Sequence, residues 1–109
     1  MTAKPVVPRE RARQDVEEAI DHDVREAGEQ VAVRFVDGLE QAFAAIGRHP
    51  ASGSPRHAHD LNLPGLRSRF VKRFPYLVFY IEREDHIDVW RVLHAMRDIP
   101  AWMQAPQNS

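Results

Sequence analysis

The hydrophobic periodicity of this chain changes once, at a segment rich in Pro and Gly that spans residues 47–62. Before this segment, apolar residues recur every three or four positions, which is the spacing of one face of an α-helix. After it, apolar and aromatic residues fill short runs bounded by turn-forming residues, as in β-strands. A helical half followed by a strand half predicts an α+β fold.

The helical half predicts two antiparallel helices joined by a tight turn. The first apolar stripe begins near Arg9, just after Pro8, whose missing N–H costs nothing in a first helical turn. Gly28 predicts the end of this helix, because glycine readily adopts the left-handed conformation found at helix C-termini. The residues of the two stripes are Ala12, Val16, Ala19, Ile20, Val24 and Ala27, then Val31, Phe35, Leu39, Ala42, Phe43 and Ile46.

The second half predicts an antiparallel meander of three strands, over residues 66–74, 76–82 and 86–93. A short edge strand is also predicted over residues 4–7, where Pro5 limits the pairing. Residues 76–82 are apolar on both sides, whereas the helical hairpin can cover only one face of the sheet. The other face should therefore expose an apolar, aromatic and cationic surface, which is the usual mark of an interaction site.

The size of the chain predicts one domain. A sequence of 109 residues, 43% of them hydrophobic, can bury a single core. We expect residues 1–103 to form this domain and residues 104–109 to be a mobile tail. There is neither a signal peptide nor an apolar run long enough to span a membrane, so we expect a cytoplasmic protein with no membrane partner.

The charge distribution and the residue types limit the kinds of site that this chain can form. The formal net charge is only −1, but acids dominate residues 10–40 and cations dominate residues 56–73. The chain has no cysteine, which excludes a thiolate nucleophile and a Cys-based zinc site. His57 and His59 supply metal-ligand types without a recognised spacing, so we expect no metal and no cofactor.

A distinctive set of residues follows the helical hairpin and the Pro/Gly loop: Leu66, Arg67, Phe74, Pro75, Tyr76, Tyr80, Val92, Leu93, His94, Arg97 and Asp98. With these residues the chain resembles the ParE branch of the RelE/ParE superfamily of type II toxin–antitoxin toxins. The resemblance implies a helical hairpin packed on one face of a small twisted antiparallel sheet. It also implies a toxin that inhibits DNA gyrase and is neutralised by a ParD-like antitoxin in a hetero-oligomeric complex, without direct DNA binding by the toxin alone.

The same superfamily contains RelE-like enzymes that cut mRNA on the ribosome. Such cleavage needs a base, an acid and cations that stabilise the developing phosphorane charge. Where a nuclease relative would carry an acid or base after the last strand, this chain has Ala95 and Met96, which transfer no proton. We therefore favour a non-nuclease inhibitor. The alternatives are a ribosome-dependent endonuclease that uses Arg67, Arg69, Lys72, Arg73, Arg91 and His94, and a decayed toxin that acts only as a binding module.

The surface expected to meet the antitoxin or the target is built from basic and aromatic strand residues. Strict alternation places Arg91 on one face with Ile87, Val89 and Leu93, where an antitoxin carboxylate would satisfy its charge. The cations of residues 67–73 either meet an acidic partner or phosphate, or form a solvated edge that blocks aggregation. The predicted binding residues are Arg67, Arg69, Lys72, Arg73, Tyr76, Tyr80, Trp90, Arg91, His94 and Arg97.

Overall fold

The computed structural model describes residues 3–96; Arg97, Asp98 and the predicted tail at 104–109 therefore lie outside the described residues. The described elements are β1 (Val6–Pro8), α1 (Glu10–Ala27), α2 (Glu29–Arg48), a 3₁₀ turn (Pro50–Ser52), α3 (Arg56–Asp60), β2 (Leu66–Phe70), β3 (Tyr76–Glu82) and β4 (Ile87–His94). The strands form one sheet in the order β1-β4-β3-β2. The predicted α+β class and the antiparallel meander are confirmed, while β1 pairs with β4 in parallel and makes the sheet mixed.

The helical hairpin agrees with the prediction and packs on one face of the sheet. Gly28 ends α1 and precedes α2 with a φ of 91°, a conformation that costs glycine little. Phe35 and Ile46 of α2 are fully buried, and burial of side chains of this size stabilises a fold by about 1.5–3 kcal/mol each. The first core contains Ala12, Ala19, Phe35, Leu39, Ala42, Ile46, Val71, Tyr76, Val78, Tyr80, Ile87, Val89 and Val92.

The opposite face of the sheet is covered, so the predicted exposed apolar surface is wrong. The covering residues are Ala58, Leu61 and Leu63, from α3 and the segment after it. Phe79 has no solvent-exposed surface, and the ring of His57 meets it edge-on at 5.4 Å between centroids. A five-residue helix is too short to leave a periodic signal, which explains why residues 47–62 predicted only a loop. The second core contains Leu66, Leu77, Phe79, Ile81 and Leu93.

The first strand of the meander is shorter than predicted, because the chain turns at residues 71–75. The Phe74 N–H donates to the Val71 carbonyl at 3.0 Å, and the Val71 N–H donates to the Tyr76 carbonyl at 2.9 Å. Arg73 has a φ of 69°, which is uncommon for a residue other than glycine and helps to reverse the chain. The turn therefore carries Arg73 outward beyond the end of β2.

A β-bulge in β4 changes which residues share a face. Phe79 is paired with Arg91, but Tyr80 is paired with Val89, so Trp90 is an extra residue on β4. Beyond the bulge, Val92 belongs to the core under the helices and Leu93 to the opposite core. The strict alternation predicted for residues 87–94 is therefore wrong after Val89.

Candidate functional site

Arg91 is satisfied inside the fold, by the carboxylate of Asp15 on α1. Its Nε and Nη2 donate to Asp15 at 2.7 and 2.9 Å, and the backbone N–H of Val92 donates to the same carboxylate at 3.0 Å. The Arg91 side chain is 0% exposed. The expected antitoxin carboxylate is therefore replaced by one from the same chain. Two parallel charge-assisted hydrogen bonds fix the guanidinium in one orientation.

The position of Asp15 follows from the end of β1. The parallel pairing of β1 with β4 stops at Val89, and the Arg9 N–H makes the last backbone bond to the Val89 carbonyl, at 2.9 Å. Beyond that point α1 has begun, and its Asp15 takes the place of a neighbouring strand as acceptor for the N–H of Val92. The Asp15 carboxylate thus accepts a hydrogen bond from the Val92 N–H, which has no neighbouring strand, and balances the charge of the buried Arg91.

A second ionic cluster surrounds Asp88 on the opposite side of β4. Asp88 accepts hydrogen bonds from Arg9 at 3.0 Å, from Arg83 at 3.0 Å and from the Trp90 indole at 3.2 Å. The Arg9 guanidinium also lies 4.0 Å from the centre of the Trp90 ring. Burial by itself would raise the pKa of Asp88, but the hydrogen bonds and charges of Arg9 and Arg83 outweigh burial and lower this pKa. Trp90, a predicted binding residue, is thereby held against the fold.

The end of β4 forms a small cavity of about 130 Å³ whose lining includes Glu18, His22, Tyr76 and His94. The backbone N–H of Met96 donates to Nδ1 of His94 at 3.0 Å, which places the proton of a neutral ring on Nε2. The Tyr76 ring meets His94 edge-on, with 5.2 Å between centroids. One ring nitrogen of His94 is therefore occupied by the backbone.

Asp23 is a half-buried acid near the same end of β4. Its Oδ2 is buried and has no hydrogen-bond partner among residues 3–96. Burial raises the pKa of Asp23, and the charges of His22 and His94 partly oppose this increase. The group thus favours its protonated form more than an exposed aspartate does.

The segment before α3 is held against the sheet by Tyr80, Arg67 and Arg69. The Tyr80 hydroxyl donates to the Pro50 carbonyl at 2.6 Å, and burial raises its pKa. Arg67 donates to the Gly53 carbonyl at 2.7 Å, and Arg69 donates to the hydroxyl of Ser52 at 3.2 Å. These three predicted binding residues therefore have structural contacts within the chain.

A basic surface remains between α2 and the β2–β3 connection. Two adjoining depressions share Gln41 and Lys72, and together we call them the basic trough. At Gly38 the helix lies so close to this connection that an added Cβ would stand 3.0 Å from Val71 Cγ1. The trough is lined by Val31, Arg34, Asp37, Gly38, Gln41, Ala42, Ala44, Ala45, Arg48, Arg69, Phe70, Lys72, Arg73 and Phe74.

The seam between α1 and α2 carries an apolar depression. It is lined by Ile20, Val24, Glu29, Ala32, Val33 and Val36, and we call it the hairpin groove. Val33 is 59% exposed and Val24 is 39% exposed, so the groove presents two large apolar side chains to solvent. An amphipathic helix is the kind of ligand that fits such a groove.

Residues 3–96 show neither a metal site nor a membrane-spanning helix. In this range, His, Asp and Glu side chains do not meet in any group of three that could hold a metal ion. Nor does the range contain a helix with the length and apolar character needed to cross a bilayer.

Residues 6–99 match the family model described as the ParE toxin of type II toxin-antitoxin system, parDE. The chain belongs to the ParE toxin family. A solved structure titled "Chromosomal ParDE TA system from P. aeruginosa" matches with a TM-score of 0.70 and 18% sequence identity, over 84% of this chain and 96% of that one. Among curated protein sequences, none matches significantly. This ParE-family chain therefore has both the sequence pattern and the fold of its family.

The structure divides the predicted binding residues of this ParE-family toxin into separate groups. Arg69, Lys72 and Arg73 line the basic trough, whereas Tyr76 and His94 meet at the cavity at the end of β4. The predicted residues in internal contacts are Arg67, Tyr80, Trp90 and Arg91, together with Arg69, which also lines the trough. Arg97 lies outside the part of the chain that the structure describes.

Sequence reasoning missed the acids that pair with buried or half-buried cations. Asp15 lies three residues after Ala12 and four before Ala19, so it stands on the apolar stripe of α1. An acid on such a stripe indicates a buried partner, and Arg91 was the matching cation on an apolar strand. Asp88 gave no comparable signal, because its cations Arg9 and Arg83 lie in connections between elements, where no periodic pattern indicates which way a side chain points.

Proposed function

We propose that this ParE-family toxin inhibits DNA gyrase in the cytoplasm without cutting RNA, and that a ParD-like antitoxin neutralises it. The observation that carries the non-nuclease reading is the burial of Arg91 against Asp15. A cation with no solvent exposure cannot reach a phosphorane in bound RNA. Gyrase as the target rests on the family resemblance alone, since fold does not specify function.

The end of β4 supports the same proposal. His94 accepts the Met96 N–H through Nδ1, and Ala95 and Met96 offer no ionisable group. General acid–base cleavage needs two proton-transfer groups on opposite sides of the reacting phosphate. Tyr76 packs against His94 but is almost fully buried, so this pair is poorly placed to provide both groups.

The hairpin groove supports antitoxin binding. An amphipathic antitoxin helix would cover Val24 and Val33, which the toxin leaves exposed. Helix-in-groove recognition is a common way in which a partially disordered partner folds on binding. The covering of the second sheet face by α3 supports the hairpin, rather than the sheet, as the site of the antitoxin helix.

The test of the toxin activity is induction of the chain without its antitoxin. We expect DNA breaks and filamentous cells while reporter transcripts stay intact during translation. Purified toxin should also inhibit gyrase supercoiling in a plasmid assay. A His94→Gln variant should keep the toxicity. If the unmodified chain instead causes codon-positioned cuts in transcripts, and the His94→Gln variant is no longer toxic, the chain is a ribosome-dependent endonuclease. Normal growth with stable expression of the chain would indicate a binding module without toxicity.

The groove is tested with Val33→Glu and the matched control Gln30→Glu, which adds the same charge at an exposed position of α2 outside the groove lining. A charge at Val33 should weaken co-purification with the antitoxin encoded beside the toxin, because the ion would lose its hydration in the groove. Toxicity should be retained when the antitoxin is absent. Equal antitoxin binding by the Val33→Glu variant and the control would exclude the hairpin groove as the binding site.

A further inference from the structure

We infer that the basic trough binds an extended acidic segment of a partner protein, lying along α2 beside the outer edge of β2. This deepens the proposed function and rests on it, because the antitoxin is the partner expected to supply such a segment. The inference names the chemistry of a contact that is separate from the hairpin groove.

The first argument is the uncompensated charge of the trough. The trough has four exposed cations, Arg34, Arg48, Lys72 and Arg73. Within residues 3–96 none of these cations forms an ion pair. Asp37 is the one acid among the residues that line the trough. The field of the trough therefore favours a negatively charged ligand.

The second argument is the length of the surface. Arg34 and Arg48 lie at the two ends of the trough on one stripe of α2. The helical rise separates them by about 21 Å, which six or seven residues of an extended peptide can span. The middle of the stripe consists of the small or polar residues Gly38, Gln41 and Ala45, so a peptide backbone can approach the helix closely.

The third argument is the edge of the sheet. Ser68 directs its N–H and C=O outward, where both bond to Ser54 at 2.9 Å. By the alternation of strand geometry, the N–H and C=O of Phe70 also point away from β3. The Phe70 side chain is 59% exposed beside them. An extended peptide can therefore bond to the Phe70 backbone and place an apolar side chain on its ring.

The same features disfavour a nucleic acid as the ligand. Binding of single strands relies on several aromatic rings on which successive bases stack. In the trough, Phe70 is the exposed ring, whereas Phe74 is partly buried and packs edge-on against Phe35 at 5.4 Å. A free backbone edge beside one apolar anchor matches a polypeptide better than a row of phosphates.

The test is a fluorescence titration of the whole purified chain with a labelled twelve-residue peptide in which Glu alternates with Leu. Two controls replace the ligand: the same peptide with Gln for Glu, and a labelled single-stranded DNA of twelve nucleotides. We expect the acidic peptide to bind more tightly than either control. Its affinity should fall as salt is raised, because the paired charges are at the surface.

The protein variants locate the site. Arg34→Glu with Lys72→Glu should weaken binding of the acidic peptide by about tenfold or more, since two attractive charges become repulsive. The matched control, Arg25→Glu with Arg56→Glu, makes the same charge change outside the trough and should bind within about twofold of the unmodified chain. Phe70→Ser should also weaken binding, with an unchanged salt dependence.

Each outcome decides between the two proposals. Equal weakening by both double variants, or tighter binding of the DNA, would overturn the acidic-peptide site and leave the toxin activity untouched. Selective weakening in the trough variant of a chain that proves harmless in cells would support the site and overturn the proposed function. Because the titration needs neither gyrase nor the antitoxin, the two failures are distinguishable.

Discussion

The molecule places cations in two contrasting environments. Arg91 has no solvent exposure and is held by the Asp15 carboxylate, whereas Arg34 and Lys72 stand exposed beside the basic trough. The first cation stabilises the junction of α1 with β4, and the second pair leaves its charge available to a ligand. A basic residue on this fold therefore stabilises the structure or stays exposed to a ligand, according to whether a carboxylate of the same chain reaches it. Variants at successively more exposed positions test this rule.

The largest effect is expected at Asp15. Asp15→Ala leaves the buried Arg91 guanidinium without this carboxylate, and loss of one partner of a buried pair costs about 3–5 kcal/mol. Urea denaturation should therefore show a large decrease in the free energy of unfolding, or no folded protein. The control Asp21→Ala removes an exposed acid from the same helix and should change this energy by less than about 0.5 kcal/mol. Similar losses in both variants would contradict the structural role of the pair.

A smaller effect is expected at Asp88, because its partners Arg9 and Arg83 are more exposed than Arg91. Asp88→Asn should lower the unfolding free energy at neutral pH by about 1–3 kcal/mol, since hydrogen bonds to a charged acceptor are weakened. The folded state lowers the pKa of Asp88, so the unfolded chain binds more protons as the pH falls below the ordinary value of about 4. The stabilising contribution is therefore present at neutral pH and lost in acid.

Chemical denaturation at several pH values checks the sign of this effect. The stability difference between the unmodified chain and Asp88→Asn should shrink from pH 7 to pH 3. Glu84→Gln, an exposed control on the neighbouring turn, should show little difference at either pH. A difference that grows in acid would mean that Asp88 is not stabilised as a carboxylate.

Arg67 should show a still smaller effect, because it bonds a neutral carbonyl at a half-buried position. Arg67→Met keeps the aliphatic stem but removes the bond to Gly53, which should cost about 0.5–1.5 kcal/mol. The measurement is the midpoint of urea unfolding, with Arg56→Met as the exposed control. A loss of stability as large as that of Asp15→Ala would show that the contributions of these cations to stability do not follow their burial.

The smallest effect on stability is expected in the trough. Arg34→Glu with Lys72→Glu should leave the unfolding free energy within about 0.5 kcal/mol of the unmodified chain, as for most exposed substitutions. The same variant should lose affinity for the acidic peptide. Circular dichroism with urea unfolding gives the first quantity. A clear loss of stability would instead make these cations part of the fold.

The predicted helices and strands show which features of this fold a sequence encodes locally. Each stripe of α1 and α2 repeats often enough to establish its period, and Gly28 marks the turn between them. The predicted strand at residues 76–82 coincides with β3. In contrast, α3 is too short for a period, and the bulge at Trp90 adds one residue whose effect appears only when β4 pairs with β3.

The predicted binding residues show the corresponding limit for the site. Their types and positions in sequence suggested one surface, but Arg91 and Tyr80 are buried while Lys72 and Arg73 are exposed. The exposure of a cation depends on acids and loops that are distant in sequence, such as Asp15 for Arg91 and Gly53 for Arg67. Local pattern can mark a buried charge, as at Asp15 on the apolar stripe of α1, but it does not identify the distant residue that pairs with it.

Periodicity and residues close together along the chain were sufficient to predict the helical hairpin, the antiparallel meander and the ParE family. The folded structure was needed to show which cations are internal, that α3 covers the second face of the sheet, and that Arg34 and Lys72 border one trough. The physical reason is that burial and charge pairing depend on distances in space, which chain folding sets between residues far apart in sequence.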